Sequence, residues 1–336
     1  MMTLLDRRYF TKRLFGTFLA GAAAGWSELS AKPDTNPGTS STGFVYHSRY
    51  LDHIIYKQHP ESPQRLIAIV QAMKKRKLDK EVTALPPIKN PEDYIPFIHT
   101  QEHREKIDTI PVTGAVAKLA VAGALSAVKA VDEGAVKNAF CAIRPPGHHA
   151  GNTGRMEGFC YYNNVAIAAR YAQKVLNHKK ILIIDWDYHH GNGTETAFYD
   201  DPDVLFFSTH DKRAYPGAGS PKRKGAGPGT GYTINVHLGC GTTDREMIKA
   251  WETALLPKLE TFSPDFVLIS AGFDSRKDDP LGCFAITDTG FFRMTRMAKQ
   301  IAEDHCNGRL VSLLEGGYNT NGLARAVCAH LEALRE

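Results

Sequence analysis

A chain of 336 residues with 43% hydrophobic content can bury a large core and allows one or two domains. Its net charge of +5, from 41 basic and 36 acidic side chains, is mild for this length. Without a concentrated basic stripe it argues against a nucleic-acid partner.

The first 31 residues hold four basic against two acidic side chains and have the parts of an export leader. Asp6-Arg7-Arg8-Tyr9-Phe10-Thr11-Lys12 reads as a twin-arginine signal, Leu14 to Trp26 is apolar, and Leu29-Ser30-Ala31 offers a small-residue cleavage site. The expectation is a signal peptide over 1–31 and an exported, periplasmic protein, or a cytoplasmic one if the leader does not function. No other stretch approaches ~18 uninterrupted apolar residues, so no membrane span is expected in the mature chain. Residues 32–44, rich in Pro, Gly, Ser and Thr, read as a linker.

From residue 45 to 336 strand and helix signals alternate without a second linker, which argues for one domain. Helices are expected over Arg65–Lys77 and Val112–Gly134, then a short strand over Asn138–Ile143 and a helix over Gly158–Asn177. Strands at 180–186, 203–209 and 231–237 precede an amphipathic helix over Thr243–Phe262 and a strand over Phe266–Ala271. A helix at 288–304, a strand at 309–314 and a helix at 321–335 complete the pattern. Such alternation implies an α/β fold, a central parallel sheet with helices on both faces. The Gly/Pro-rich loops at 144–158, 210–231 and 272–287 have the length of site-lining loops. The basic side chains of Arg213, Lys222, Arg223 and Lys224 fall in one of them and read as a solvated loop. Six cysteines without a C-x-x-C pair suggest neither a disulfide scaffold nor a thiolate zinc site.

The chemistry concentrates where strands end. The apolar run Ile181–Ile184 leads into Asp185, Asp187, His189 and His190, and period-two alternation would set Asp185, Asp187 and His189 on one face. Three more loops follow strands: Arg144-Pro145-Pro146-Gly147-His148-His149-Ala150, Ala271-Gly272-Phe273-Asp274 and Glu315-Gly316-Gly317-Tyr318-Asn319. Parallel strands deliver all four loops to the same edge.

HPESPQRL at 59–66, RPPGHHA at 144–150, GFCYYNNVAIAA at 158–169, DWDYHHGNG at 185–193, SAGFDSRKDDPLG at 270–282 and LEGGYN at 314–319 occur in the order found in the histone deacetylase family. The chain resembles that family from about residue 45 to its end, in the broad sense that includes acetoin-utilisation proteins and acetylpolyamine amidohydrolases. Asn192, where some members have Asp, is similar to the class II branch. The resemblance implies a single-domain deacetylase–arginase-like fold. It implies a zinc site of Asp187, His189 and Asp274, which mixed O/N ligation would also open to Fe(II) or Co(II). It implies His149 as general base and acid leaning on Asn192, His148 held by Asp185, and Tyr318 as donor to the oxyanion after the freely turning Gly316 and Gly317. It implies a channel of Gly158, Phe159, Tyr215, Leu281 and Gly317, in which many members have Phe at the Tyr215 position. Leu281 stands where polyamine-selective members carry Glu. A structural potassium ion is implied at main-chain oxygens of Asp185, Asp187, His189, Ser208 and Thr209.

The expected activity is hydrolysis of the amide in a small acylated amine or an acyl-lysine peptide. Alternatives are an acetylpolyamine deacetylase, a two-metal ureohydrolase-like relative, and a relative that binds acyl-amines without cutting them. Self-association stays open.

Overall fold

The computed structural model describes residues 41–336; the leader and most of the expected linker lie outside the described residues. Among the described residues eight strands form one sheet: β1 (Thr42–Val45), β2 (Val82–Ala84), β3 (Asn138–Cys141), β4 (Ile181–Asp185), β5 (Val204–Asp211), β6 (Thr233–Leu238), β7 (Phe266–Ala271) and β8 (Leu310–Leu314). Their order is β2-β1-β3-β8-β7-β4-β5-β6, and every neighbouring pair is parallel. β4 (ILIID), β7 (FVLISA) and β8 (LVSLL) are buried along their whole length. Near-continuous apolar runs are what a strand needs when helices cover both of its faces.

The helices are α1 (Gln64–Arg76), α2 (Gln101–Asp108), α3 (Thr113–Asp132), α4 (Asn164–Lys174), α5 (Asn192–Ala197), α6 (Asp244–Ala250), α7 (Leu256–Phe262), α8 (Asp288–Cys306) and α9 (Thr320–Arg335). One packed group joins α3 and α4; the other joins α1, α8 and α9, and the sheet lies between them. Among the described residues α3 is long and apolar enough to cross a bilayer. However, 72% of its most apolar window is buried inside the protein, so it is accounted for as a core helix.

The structure departs from the sequence expectations in four places. β1 takes in Thr42–Phe44, which the composition assigns to the linker; a four-residue TGFV strand after a Ser/Thr/Gly tract is too short to show a period. The helix expected over Gly158–Asn177 begins only at Asn164. Gly158 and Phe159 both have positive φ (51° and 71°), and Asn163 caps the helix by accepting from the Ala166 N–H at 3.0 Å. The helix expected over Thr243–Phe262 is interrupted by a π turn at Trp251–Leu255, just before Pro257, whose missing N–H removes a helical hydrogen bond. Finally, Cys240 and Cys283 form a disulfide, with Cα atoms 5.0 Å apart, a pairing that a separation of 43 residues gives no means of reading. It ties the loop after β6 to the segment after β7.

That cross-link restricts the unfolded chain, by about 3–4 kcal/mol on chain-entropy grounds. Reduction, or Cys240→Ser, is expected to lower the calorimetric midpoint by about 3–5 °C. A midpoint unmoved by both treatments would show that the pair does not brace the fold.

A candidate metal centre at the strand ends

The four loops that carry the reactive groups leave β3, β8, β7 and β4, which are contiguous in the sheet. Register keeps their ends level: Cys141 pairs with Leu313, Ala271 with Leu314, and Asp185 with Ser270. The convergence is therefore a property of the sheet, reached from residues far apart in sequence.

Strand alternation does not explain how Asp185, Asp187 and His189 are arranged, because β4 ends at Asp185. The turn that follows is folded by carboxylates accepting main-chain N–H groups. Asp185 Oδ1 accepts from Asp187 N (3.1 Å), Asp187 Oδ1 from His189 N (2.8 Å) and Asp274 Oδ1 from Tyr188 N (2.9 Å). Gly316 N donates to Asp187 Oδ2 at 2.8 Å, which locks the loop after β8 onto the loop after β4. Asp185 turns to His148 instead, while Asp187, His189 and Asp274 close on one another.

Donor atoms of Asp187, His189 and Asp274 lie within 4.8 Å of each other. His189 Nδ1 sits 3.0 Å from Asp274 Oδ2 and 3.2 Å from Asp187 Oδ1, so Nδ1 is the nitrogen turned into the cluster. A Cβ at Gly316 would fall onto the Asp274 carboxylate, so the backbone approaches there as only glycine permits. Burial and the Asp187 charge push the Asp274 carboxyl up to about 7. His189 is pushed up to about 10 despite its burial, by its bonds to the two carboxylates. Two buried acids facing one imidazole nitrogen are a donor set that fits a divalent ion of borderline character, zinc among them.

Next to this cluster stand the paired histidines. His148 Nδ1 is 3.0 Å from Asp185 Oδ2. Burial would neutralise His148, but Asp185, Asp187 and Glu315 together hold it charged. His149 Nδ1 lies 2.8 Å from the Asn192 amide oxygen, an acceptor, so Nδ1 carries the proton and Nε2 keeps its lone pair. Burial, then the positive charge of His148, keeps His149 well below the usual imidazole range. A neutral base beside a fixed cation follows.

Tyr318 is positioned by groups that the sequence reading did not single out. Asp279 Oδ2 accepts from the N–H of Tyr318 (2.6 Å) and of Asn319 (3.0 Å). The Arg65 guanidinium lies 5.1 Å from the Tyr318 ring centroid, and its Nε donates to Gly317 O at 2.7 Å. Burial and Asp274 raise the phenol well above 10, so it stays a neutral donor. Beneath it, Arg65 and Arg144 share Glu61: Arg65 Nη1 donates at 3.2 Å and Arg144 Nη2 at 2.6 Å, all three side chains being buried. Glu315 accepts from the N–H groups of Gly147 (2.6 Å) and His148 (3.2 Å), fixing the histidine loop. HPESPQRL, RPPGHHA, SAGFDSRKDDPLG and LEGGYN held these residues in plain view, but nothing in their spacing shows that they meet.

Two aromatic rings stand over His149 and Tyr318. Phe159 meets Tyr318 edge-on at 5.9 Å and His59 at 4.5 Å; Tyr215 meets His149 edge-on at 4.9 Å. Phe159 holds a left-handed backbone, a strained state for a bulky residue that the surroundings must enforce. Gly158 also has positive φ, and a Cβ there would strike the His149 ring. Leu281 is 37% exposed and borders the same opening as Tyr215. Ser208 and Thr209 lie in β5, Ser208 in register with Asp185, and the Ser208 hydroxyl bonds His190 and His210.

Comparison with known proteins agrees with this geometry. The histone deacetylase domain pattern matches residues 59–334. A probable deacetylase of Archaeoglobus fulgidus is 38% identical over 297 residues, covering 84% of this chain and 82% of its own. Histone deacetylase 15 of Arabidopsis thaliana is 36% identical over 332 residues, covering 89% of this chain but 58% of its own length. The crystal structure of the HDA15 HD domain superposes with a TM-score of 0.81 at 35% identity, covering 87% of this chain and 90% of that one. The eight-stranded parallel sheet is thus an arginase/deacetylase fold.

Glu61 makes the centre's support sensitive to acid. Burial alone would raise its pKa, but Arg144, the His53 hydrogen bond and Arg65 hold it far below the usual carboxylate range. A depressed carboxyl contributes stability that is present above its unfolded pKa of about 4.3 and is lost as pH falls toward the folded value. Glu61→Gln is expected to remove about 3–5 kcal/mol by leaving buried guanidinium charge uncompensated. The urea midpoint of E61Q should also fall less between about pH 5 and 3 than that of the unaltered protein. Equal midpoints and equal acid slopes would refute both statements.

Proposed function

The chain belongs to the histone deacetylase family, and on that premise we propose that it is a zinc-dependent hydrolase removing an acetyl or similarly short acyl group from an amine. The single observation that carries this reading is the Asp187–His189–Asp274 cluster flanked by the Asn192-held His149 and the buried Tyr318. When bound at that cluster, a divalent ion supplies Lewis acidity to a carbonyl and lowers the pKa of a coordinated water. Fe(II) or Co(II) would meet the same donors.

The remaining chemistry falls to the chain's own residues. His149 Nε2 takes a proton from the attacking water and returns it to the leaving amine. Charged His148, held by Asp185, adds positive potential beside the reacting carbonyl. The Tyr318 hydroxyl donates to the oxygen on which negative charge develops. Phe159 and Tyr215 form aromatic walls for an aliphatic stem, and the Tyr215 hydroxyl makes its wall the more polar. Gly158 and Gly317 let the main chain approach that stem closely.

An acyl-lysine peptide or a small acylated amine suits this channel. An acetylated polyamine is the second reading, weakened because Leu281 gives a second ammonium no partner. A two-metal ureohydrolase finds less support, as one three-donor cluster occurs among the described residues. A binding-only relative would be expected to lack one of the five central groups, and all are present. A structural potassium ion at main-chain oxygens of Asp185, Asp187, His189, Ser208 and Thr209 belongs to the same proposal. The Asp6–Lys12 signal supports export to the periplasm, and the Cys240–Cys283 disulfide suits such an oxidising compartment.

Acetate release from a fluorogenic acetyl-lysine peptide should vanish on chelation and return with Zn(II). Tyr318→Phe should lower kcat by about 10²–10³, and His149→Ala by about 10²–10⁴. If no acyl-amine yields acetate in a metal-dependent way, the hydrolase reading fails. N-terminal sequencing of protein made with its leader should begin just after Ala31; an intact Met1 on exported protein would overturn the signal-peptide assignment.

A further inference from the structure

Beside the metal centre lies a cavity of about 680 Å³. It shares His189, Tyr215 and Leu281 with the substrate opening and extends past them to Lys212, Arg213 and the disulfide. We infer that this cavity is a subsite for an anionic group, and that the preferred substrate is an acylated amine carrying a carboxylate on its amine side. An Nε-acyl-lysine with a free α-carboxyl is the simplest member of that class. The inference rests on the hydrolase reading above and names the substrate class for it.

Charge and geometry both point this way. The loop leaving β5 is fixed at its base by Asp211, whose Oδ1 accepts from the Arg213 N–H (2.7 Å) and whose Oδ2 accepts from the Tyr188 hydroxyl (3.1 Å). The buried carboxylate on the cavity wall is therefore engaged by main chain and phenol. Main-chain bonds from Ala214 N to Asp211 O (3.2 Å) and from Gly217 N to Ala214 O (2.8 Å) set the turn that carries Lys212, Arg213 and Tyr215 together. Arg223, farther along the same loop, is held by Glu195. Among the described residues no ion pair holds the Lys212 or Arg213 side chain, and both are exposed at the cavity.

A substrate with its amide at the metal centre and its stem along Tyr215 brings its far end to this turn. A second ammonium arriving there meets two like charges and the apolar Leu281. A carboxylate meets two cations. Exposed pairs of this kind are individually weak and are screened by salt, so the effect is one of selectivity and not of chemistry.

The test compares two substrates that differ only at that end: Nα-capped Nε-acetyl-lysine as the free acid and as the primary amide. The zinc-loaded protein should favour the free acid by about three- to tenfold in KM, with similar kcat. The acid-to-amide ratio should approach one in K212Q/R213Q, and should shrink for the unaltered protein as NaCl rises from about 0.05 to 0.5 M. A ratio near one in the unaltered protein, or a preference that survives the double substitution, overturns the inference. Hydrolysis of the amide alone would overturn the inference and leave the hydrolase reading intact. If neither compound is cut, calorimetric binding of the two compounds to both proteins reads the same ratio, and the acetyl-lysine peptide assay above decides the hydrolase reading separately.

Discussion

Several acids are buried at the carboxyl edge of one sheet, and the rest of the molecule is arranged around keeping them there. Asp185, Asp187, Asp274 and Glu315 are each no more than 1% exposed, in a medium where an unpaired charge is very costly. Each is met by specific partners: main-chain N–H groups for Asp187, Asp274 and Glu315, an imidazole for Asp185 and for the Asp187–Asp274 pair. What those partners compensate only in part is the repulsion between Asp187 and Asp274, which still raises the Asp274 carboxyl. A divalent cation at the candidate cluster would relieve it, and the donors that would hold such an ion are set by the way the loops fold.

A second layer of charge lies below the first. Glu61 neutralises Arg65 and Arg144, and Arg65 in turn reaches the Gly317 carbonyl and the Tyr318 ring. The Tyr318 phenol therefore rests on a buried ion cluster instead of on apolar packing alone. Asp279 adds a connection of its own, because its carboxylate accepts from the main chain at both Tyr318 and Leu281. The Tyr318 turn and the Leu281 edge of the neighbouring opening thus share one carboxylate.

Much of this was legible in the sequence, and the parts that were not share a cause. The apolar runs of β4, β7 and β8 showed themselves because strands covered on both faces must be almost wholly apolar. The reactive loops were legible because each directly follows such a run. β1 and β2 were not, being four and three residues long, and the α6–α7 interruption depends on what a single proline does to a helical ladder. Glu61, Arg65, Arg144, Asp279 and Glu315 act through partners supplied by other loops, and their pairings exist only once the sheet has brought those loops together. The same holds for Cys240 and Cys283. Even the facing of Asp187 and His189, read from alternation, proved to be set by hydrogen bonds in a turn beyond the strand.

The Arg65–Gly317 bond spans 252 residues, and the Gly147–Glu315 bond spans 168. Contacts of such separation make topology the slow variable in folding, because the loop-closure entropy must be met before they form. A chain still emerging from the ribosome has Asp187 and His189 but lacks Asp274 and the β8 loop that completes the cradle. The three-donor cluster is consequently completed late, only once the loop after β7 has been translated. A truncation before β8 keeps Asp187, His189 and Asp274 but loses the Gly316 N–H that Asp187 accepts and the Glu315 carboxylate that fixes the histidine loop.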